Sequence, residues 1–225
     1  MFGLYERYYG GAREGDFRAD LSQKSHLIEL REGAALRGFS TLALQRYELA
    51  DETGLAIFSG DTIIEHEYWG EQVLARAFCR FAGAVRAEYP QLPLYWFLIS
   101  KGYRTYRYLQ AFARRYYPHP HEATPARMKL RMDHLAGSRF GSCYSPARGI
   151  VHFEPARGYL RAPWNGVRAG LRARAEVQYF LQRNPGYIDG DELVCIAELS
   201  TDNLRSVAAR EFTQACRDAA FAASR

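Results

Sequence analysis

The stretch Leu94-Tyr-Trp-Phe-Leu-Ile-Ser-Lys-Gly-Tyr-Arg-Thr-Tyr-Arg-Tyr-Leu109 changes its hydrophobic period halfway along. It opens with an unbroken run of apolar and aromatic residues, which is typical of a strand buried on both faces. After the polar turn 100–102, Tyr103, Tyr106 and Leu109 recur every three positions, and Phe112 and Tyr116 extend the stripe to residue 116. That spacing predicts the apolar face of a helix. The stretch therefore predicts a buried strand that enters a helix through a short turn.

The turn between this strand and this helix has the composition of an anion site. The N–H groups of a first helical turn have no partner inside the helix, and the helix dipole favours negative charge there. Lys101 and Arg104 add positive charge, Gly102 allows a ligand close to the backbone, and Ser100 ends the strand. We therefore expect a phosphate group to bind at Ser100, Lys101, Gly102 and Arg104. The alternative is a strand–turn–helix whose basic side chains are simply solvated.

Composition and charge describe an ordinary globular chain with a basic bias. The chain has 225 residues, of which 48% are hydrophobic and 24% charged, enough for one large core. The net charge of +5 suits phosphate, nucleic acid or an acidic protein as a partner. The basic segment 157–183, in which a helix is predicted over 168–182, has few interleaved aromatic residues. This composition favours a solvated basic helix over a nucleic-acid surface. Nucleic acid is therefore not an expected partner.

The sequence predicts a cytoplasmic protein with no membrane span, because it has no apolar run of the required length and no apolar leader. Its four cysteines form no C-x-x-C pair, so neither a zinc ribbon nor a redox pair is expected. Cys79, Cys195 and Cys216 lie in apolar contexts that predict buried free thiols. Cys143 lies in a polar context and is expected to be more exposed, but no nucleophile-elbow spacing surrounds it.

Two histidines, His119 and His121, alternate with prolines. A pair with this spacing can bind a metal ion, but no third candidate ligand stands close by in the sequence. We therefore interpret the segment as a rigid loop and expect no metal.

The order of the predicted elements indicates a mixed sheet. Three strands, 24–31, 36–48 and 55–64, follow one another through short turns, which predicts an antiparallel meander. A helix over 70–88 then leads into the strand at 94–99, and this order predicts a parallel β-α-β unit with a right-handed crossover. The predicted fold class is α/β in the broad α+β sense.

The second half of the chain is expected to extend the same fold. A further apolar run at 193–199 needs cover on both faces, so we place it in the same sheet. The prediction is one domain, 1–225, with a core at 24–116 and a C-terminal α/β extension at 117–225.

The order of three strands, a helix, a strand and a helix in 24–116 resembles the core of the GNAT superfamily of N-acetyltransferases. In that family, the loop entering the long helix wraps the cofactor pyrophosphate with a Q/R-x-x-G-x-G/A pattern. The corresponding stretch here is His66-Glu-Tyr-Trp-Gly-Glu-Gln72, in which Gly70 matches one glycine and would contact the cofactor. The second glycine and the leading basic residue have no counterpart.

The resemblance also implies catalytic roles. In that family, a tyrosine on the helix after the second parallel strand protonates the departing thiolate. Tyr106 and Tyr108 occupy this helix, and Tyr108 is the predicted acid. A neutral phenol suits the task because it can donate a proton as the acyl group leaves. Glu65, at the end of the third strand, is the candidate base for the amine. Core packing for the tyrosines and a solvated sheet rim for Glu65 are the alternative interpretations.

The length, the basic charge and the large C-terminal half are also similar to those of acyl-homoserine-lactone synthases and related N-acyl amino acid synthases, although their arginine and aspartate signature is absent. Those enzymes take the acyl group from an acidic acyl carrier protein. Together the two resemblances imply transfer of an acyl group to an amine, from acyl-CoA or from a phosphopantetheine-linked carrier protein. The alternative is a non-catalytic member of the fold that binds a small molecule or a protein and has lost the cofactor loop.

Overall fold

The computed structural model describes residues 1–223. Its helices are α1 (Phe2–Tyr5), α2 (Glu14–Leu21), α3 (Val73–Glu88), α4 (Tyr103–Phe112), α5 (Ala126–Phe140), α6 (Ala175–Arg183) and α7 (Ser206–Ala223). Its strands are β1 (Tyr9–Gly10), β2 (His26–Glu32), β3 (Ala35–Leu49), β4 (Glu52–Ile64), β5 (Leu94–Ser100), β6 (Tyr116–Tyr117), β7 (Tyr144–Ser145), β8 (Ile150–Val151), β9 (Tyr159–Leu160) and β10 (Glu192–Glu198). Helices and strands are interspersed, so the predicted mixed α/β class is confirmed.

Most of the strands form one sheet, in the order β2-β3-β4-β5-β10-β8-β7, and β6 pairs with β10 outside this path. The first three strands form the predicted antiparallel meander. Phe39 of β3 lies opposite both Glu29 of β2 and Ile63 of β4. A break in the β3–β4 register between Ser40 and Leu42 marks a bulge, which locally bends the strand pair.

Strands β4 and β5 run parallel, as the sequence predicts. The Leu55 N–H donates to the Pro93 carbonyl at 2.9 Å. Further along both strands, the Trp96 indole N–H donates to the Ser59 hydroxyl at 2.8 Å. The two contacts advance in the same direction along each strand, which requires parallel strands, and α3 makes the crossover.

Strand β10 lies antiparallel to β5. The Leu199 N–H donates to the Leu94 carbonyl at 2.8 Å, whereas at the other end Lys101 forms an ion pair with Glu192. The late apolar run therefore joins the sheet, as predicted. Since the strands are antiparallel, β10 begins where β5 ends.

Residue contacts divide the chain into two compact units. The meander unit comprises Lys24–Trp96, Phe112–Arg115 and the described part of Ala197–Arg225; the α4 unit comprises Met1–Gln23, Phe97–Ala111 and Tyr116–Ile196. Neither unit is continuous in sequence, and the residues of β5 and β10 are divided between them.

The meander unit is built on close packing of α3 against α7. Gly83 of α3 lies so close to α7 that a Cβ at this position would be 2.2 Å from the Phe212 carbonyl oxygen. The same unit contains an aromatic cluster: the Trp96 ring centroid is 5.0 Å from that of Phe78 and 5.5 Å from that of Phe112. Aromatic pairs at these separations add to the stabilisation from buried area.

The α4 unit is built around Tyr106, which is fully buried. Its ring centroid lies 5.9 Å from those of Tyr116 and Phe180 and 6.2 Å from that of Tyr179. Tyr103 and the rest of the predicted stripe on α4 are buried as well, as the period of three and four residues predicts.

Two predicted helices are shorter in the structure. Helix α4 ends at Phe112 rather than near residue 116, because Asn203 draws the following backbone out of the helix. The Arg114 N–H donates to the Asn203 carbonyl, and the Arg115 N–H donates to the Asn203 side chain, each at 2.8 Å. The basic helix predicted from Arg168 is a short 3-10 turn followed by α6.

Candidate functional site

The end of β5 is anchored by hydrogen bonds on its carbonyl side. Ser100 is fully buried, and its hydroxyl lies 3.7 Å from the Cys195 thiol. Asn184 is also fully buried, and its amide donates both to the Ser100 carbonyl at 3.4 Å and to the Asp191 carbonyl at 2.9 Å. These contacts therefore fix the position of the strand end, and with it the start of the turn 100–102.

Lys101 is nearly buried and its charge is paired. The ammonium lies 3.3 Å from Glu192 Oε1, and the two side chains are only 10% and 11% exposed. The same ammonium lies 5.3 Å from the centroid of the Tyr9 ring, a cation–π distance. Lys101 therefore does not project into solvent as an unengaged phosphate ligand, because Glu192 balances its charge locally.

Arg104 and Tyr103 lie at the first turn of α4. The Arg104 guanidinium lies 4.9 Å from the centroid of the Tyr103 ring and donates to the Trp164 carbonyl. The Tyr103 hydroxyl is buried and has no hydrogen-bond partner among the described residues. Buried hydroxyls almost always have a partner, so this oxygen marks a place where a water molecule or a ligand group would be favoured.

Gly102 leaves open space at the start of α4. A Cβ at this position would meet only a methyl group of Leu160, at an ordinary contact distance of 3.8 Å. A side chain would therefore fit, and the glycine is not demanded by packing. The space can admit a ligand atom close to the backbone N–H groups of the first turn.

The two candidate tyrosines of α4 occupy different environments. The Tyr106 hydroxyl donates to the Pro118 carbonyl at 2.8 Å, and burial raises the pKa of this phenol well above its usual range. Tyr108 is 44% exposed, and the burial of part of the ring raises its pKa too. Tyr106 is thus a core residue, whereas Tyr108 is the tyrosine that a substrate could reach.

Glu65 and Gly70 belong to the meander unit, unlike the other predicted site residues. Glu65 is only 5% exposed, and its Oε2 accepts from Arg37 at 3.0 Å. The same guanidinium pairs with Glu32 at 2.9 Å. Gly70 has a φ of +103°, and a Cβ added there would meet nothing within 4 Å. The backbone conformation, rather than close packing, therefore favours glycine at this position.

These contacts place Glu65 in an ionic cluster of the meander unit. The Tyr68 hydroxyl donates to Glu32 at 2.9 Å. This bond and the Arg37 guanidinium lower the pKa of the Glu32 carboxyl. The loop that the sequence assigns to the cofactor pyrophosphate therefore lies beside acidic groups that Arg37 balances.

A histidine–aspartate pair in the α4 unit was not predicted from the sequence. His152 Nδ1 lies 2.5 Å from Asp191 Oδ1, and the Arg148 guanidinium lies 3.3 Å from the other carboxylate oxygen. Strand pairing brings the two together: Glu192 lies opposite Val151, so the next position along places Asp191 beside His152. No local signal marks this pair, because its members are 39 positions apart.

The segment before β10 is shaped to hold the Asp191 carboxylate. Gly190 has a φ of +104°, a left-handed conformation that favours glycine. A Cβ on Gly186 would lie 2.4 Å from Asp191 Oδ2, so only glycine leaves room for the carboxylate. The Asp191 N–H donates to the Gly186 carbonyl at 3.1 Å.

A cavity of about 220 Å³ lies in the α4 unit, and its polar lining residues are Thr124, Lys129, Tyr144 and Arg183. Lys129 and Tyr144 both bond to Asp133, and Arg183 donates to the Arg148 carbonyl. Within residues 1–223, no three His, Cys, Asp or Glu side chains cluster closely enough to hold a metal ion. Over the same residues, every helix is too short or too polar to cross a membrane.

The cysteines yield a prediction about thiol reactivity. Cys79 and Cys195 are buried as predicted, and burial raises the pKa of each thiol to about 12. Cys143 and Cys216 are partly exposed, so the expectation of a buried Cys216 is wrong.

Because the thiolate is the reactive form, iodoacetamide at about pH 8 should label Cys143 and Cys216 in the native protein. Mass spectrometry should find Cys79 and Cys195 labelled only after denaturation; rapid native labelling of either would contradict their burial.

Comparison with known proteins adds no relative to these observations. No protein-family model matches the chain, and no curated protein sequence is significantly similar to it.

Proposed function

We propose that this protein transfers an acyl group from a thioester of coenzyme A, or of a phosphopantetheine-bearing carrier protein, to an amine. The parallel pair β4–β5, with α3 crossing between the strands and α4 following β5, supports this proposal. It is the arrangement on which the resemblance to N-acetyltransferases rests. One fold can serve many functions, so the start of α4 supports the proposed activity more specifically than the topology does.

The observation that carries the proposal is that Tyr103, a residue of the first turn of α4, has a buried hydroxyl with no partner among the described residues. Tyr103 follows Gly102, which leaves room beside the backbone N–H groups of this turn, and precedes Arg104, which contributes positive charge. A phosphate oxygen accepts hydrogen bonds from both hydroxyl and N–H donors, and the helix dipole favours its charge. The helix start, rather than the paired Lys101 ammonium, supplies the main attraction in this proposal.

Tyr108 is the proposed acid. The amine nitrogen attacks the thioester carbonyl, the carbon–sulfur bond breaks, and the departing thiolate takes the phenolic proton. The raised pKa of Tyr108 keeps the phenol protonated at neutral pH, which is the state that a proton donor requires. Tyr106 is unsuited to this step because its hydroxyl already bonds to the Pro118 carbonyl.

The replacement Gly102→Ala tests the donor site. The added methyl group has room within the protein but would occupy the space proposed for the ligand. We expect titration calorimetry to show binding of coenzyme A weakened about tenfold or more, equivalent to about 1.4 kcal/mol, with little change in melting temperature.

Gly15→Ala is the matched control, because a methyl group at that helical position meets nothing within 4 Å. It should leave coenzyme A affinity unchanged. Equal affinities for the Gly102→Ala variant and the wild type would place the donor elsewhere. If neither coenzyme A nor a phosphopantetheine-bearing carrier protein binds the wild type, the proposed function fails.

A second candidate is a non-catalytic binding protein of the same architecture. The ionic cluster of Glu32, Arg37 and Glu65 favours it, because acidic groups occupy the region where a pyrophosphate would be expected. The two candidates differ in turnover. Binding of an acyl thioester without any amide product, across a panel of amines, would favour the binding protein over the transferase.

A further inference from the structure

We propose that His152 is the general base of this acyl transfer, held in position by Asp191, and that it takes the proton of the attacking amine. The inference rests on the proposed function and adds a residue that the sequence did not indicate. Four observations carry it: the contact between the two side chains, their unequal exposure, the fit of the carboxylate, and their place in the fold.

The contact with Asp191 determines which imidazole nitrogen of His152 can accept a proton from the substrate. His152 Nδ1 lies 2.5 Å from Asp191 Oδ1. A carboxylate accepts but does not donate, so it favours the tautomer with the proton on Nδ1. The lone pair then lies on Nε2, which makes no hydrogen bond to a described residue. This is the arrangement by which an aspartate orients a histidine base in acyl-transfer enzymes.

The side chains of His152 and Asp191 differ in solvent exposure, and this difference suits them to different roles. The His152 side chain is 58% exposed, whereas the Asp191 side chain is only 8% exposed. A substrate amine can therefore reach the imidazole while the carboxylate stays shielded from water. Asp191 already forms an ion pair with Arg148. The negative charge of Asp191 is therefore balanced without His152.

Asp191 is also linked through Asn184 to the end of β5, the strand that precedes α4, within the same unit. The Asn184 amide bonds to the carbonyls of both Ser100 and Asp191, because β10 begins where β5 ends. Lys101 and Glu192, the residues that follow Ser100 and Asp191, form an ion pair across the same two strands. The proposed base is thus anchored to the strand end that delivers the donor site.

This position makes His152 a better base than Glu65. The Glu65 carboxylate is nearly buried and already engaged by Arg37. In the proposed step, the amine loses one proton to His152 Nε2 as its nitrogen bonds to the carbonyl carbon. The thiolate leaves with the Tyr108 proton. His152 then releases its proton to solvent, and the Tyr108 phenolate takes up one proton from solvent, which returns both residues to their starting states. The step consumes one thioester and one amine and yields one amide and one thiol, with no oxidant or metal.

The principal test compares His152→Gln with the wild type. Glutamine can still donate a hydrogen bond to Asp191 but cannot act as a base. We expect kcat for acetyl-CoA with an accepted amine to fall about 100-fold or more, with the affinity for coenzyme A unchanged. Imidazole in the buffer should restore part of the activity of His152→Ala. His121→Gln, at an exposed loop position, is the control and should retain full activity. Full activity of His152→Gln would overturn the inference.

A second measurement separates failure of this inference from failure of the proposed function. Diethyl pyrocarbonate acylates unprotonated imidazole, and mass spectrometry can follow His152 alone without any turnover. Asp191→Asn should slow acylation of His152 at least fivefold, while that of His121 stays constant. If the wild type transfers no acyl group but this slowing is seen, the proposed function fails and the orienting role of Asp191 stands. If His152 is acylated at the same rate in Asp191→Asn and in the wild type, Asp191 does not orient a histidine base. This outcome would overturn the inference whether or not the wild type transfers an acyl group.

Discussion

Replacement of Lys101 by methionine should lower the free energy of unfolding by about 3 kcal/mol. The Lys101 and Glu192 side chains are 10% and 11% exposed and lie 3.3 Å apart. Methionine keeps most of the side-chain volume but removes the positive charge. Glu192 then loses its ammonium partner in a site with little water, and removing one member of a nearly buried ion pair is costly. Urea denaturation followed by circular dichroism measures the loss.

The double variant Lys101→Met/Glu192→Leu is the informative control. Replacing both members of a buried ion pair by apolar residues is often nearly neutral, so this variant should recover to within about 1 kcal/mol of the wild type. A single variant as stable as the wild type would show that the pair is hydrated. Because replacing Lys101 is expected to lower the stability of the fold, ligand binding is better tested at Gly102 than at Lys101.

The replacement Gly83→Ala should lower the free energy of unfolding by about 2 kcal/mol. The added Cβ would lie 2.2 Å from the Phe212 carbonyl oxygen and 3.0 Å from the Ala215 Cβ. The first of these distances is far inside van der Waals contact with backbone, so α3 and α7 would have to move apart. Thermal and urea unfolding should both report the loss.

Gly137→Ala provides a control with the opposite sign. Gly137 also lies inside a helix, α5, but a methyl group there meets nothing within 4 Å. Since alanine is the better helix former, this variant should gain about 0.5–1 kcal/mol. If both variants gain stability, the close approach of α3 to α7 is not a constraint on the fold.

The sequence by itself determined the secondary structure of the region around β5 and its neighbours. Hydrophobic period is a local property: the unbroken run before Ser100 predicted the buried strand, and the spacing of Tyr103, Tyr106 and Leu109 predicted which face of α4 is buried. Short connections then limited the topology, so the order of β4, α3 and β5 was sufficient to predict a parallel pair.

Helix boundaries were predicted less well, because they depend on partners from elsewhere in the chain. The apolar spacing continues to Tyr116, yet α4 ends at Phe112. Asn203, remote in sequence, offers hydrogen bonds to the backbone of 114 and 115 that compete with another turn of helix. No local pattern at the end of α4 contains this information.

Only the tertiary structure decided which charged and polar side chains are engaged. Lys101 suggested a phosphate ligand from its neighbours in sequence, but Glu192 neutralises it across the sheet. Tyr108 was the predicted acid and Tyr106 the other candidate on the same helix, but only packing shows that Tyr106 is buried and Tyr108 is 44% exposed. The contact of His152 with Asp191 arises from the pairing of β8 with β10. Electrostatic and hydrogen-bond partners are set by distance in space, whereas hydrophobic period reports only on neighbours along the chain.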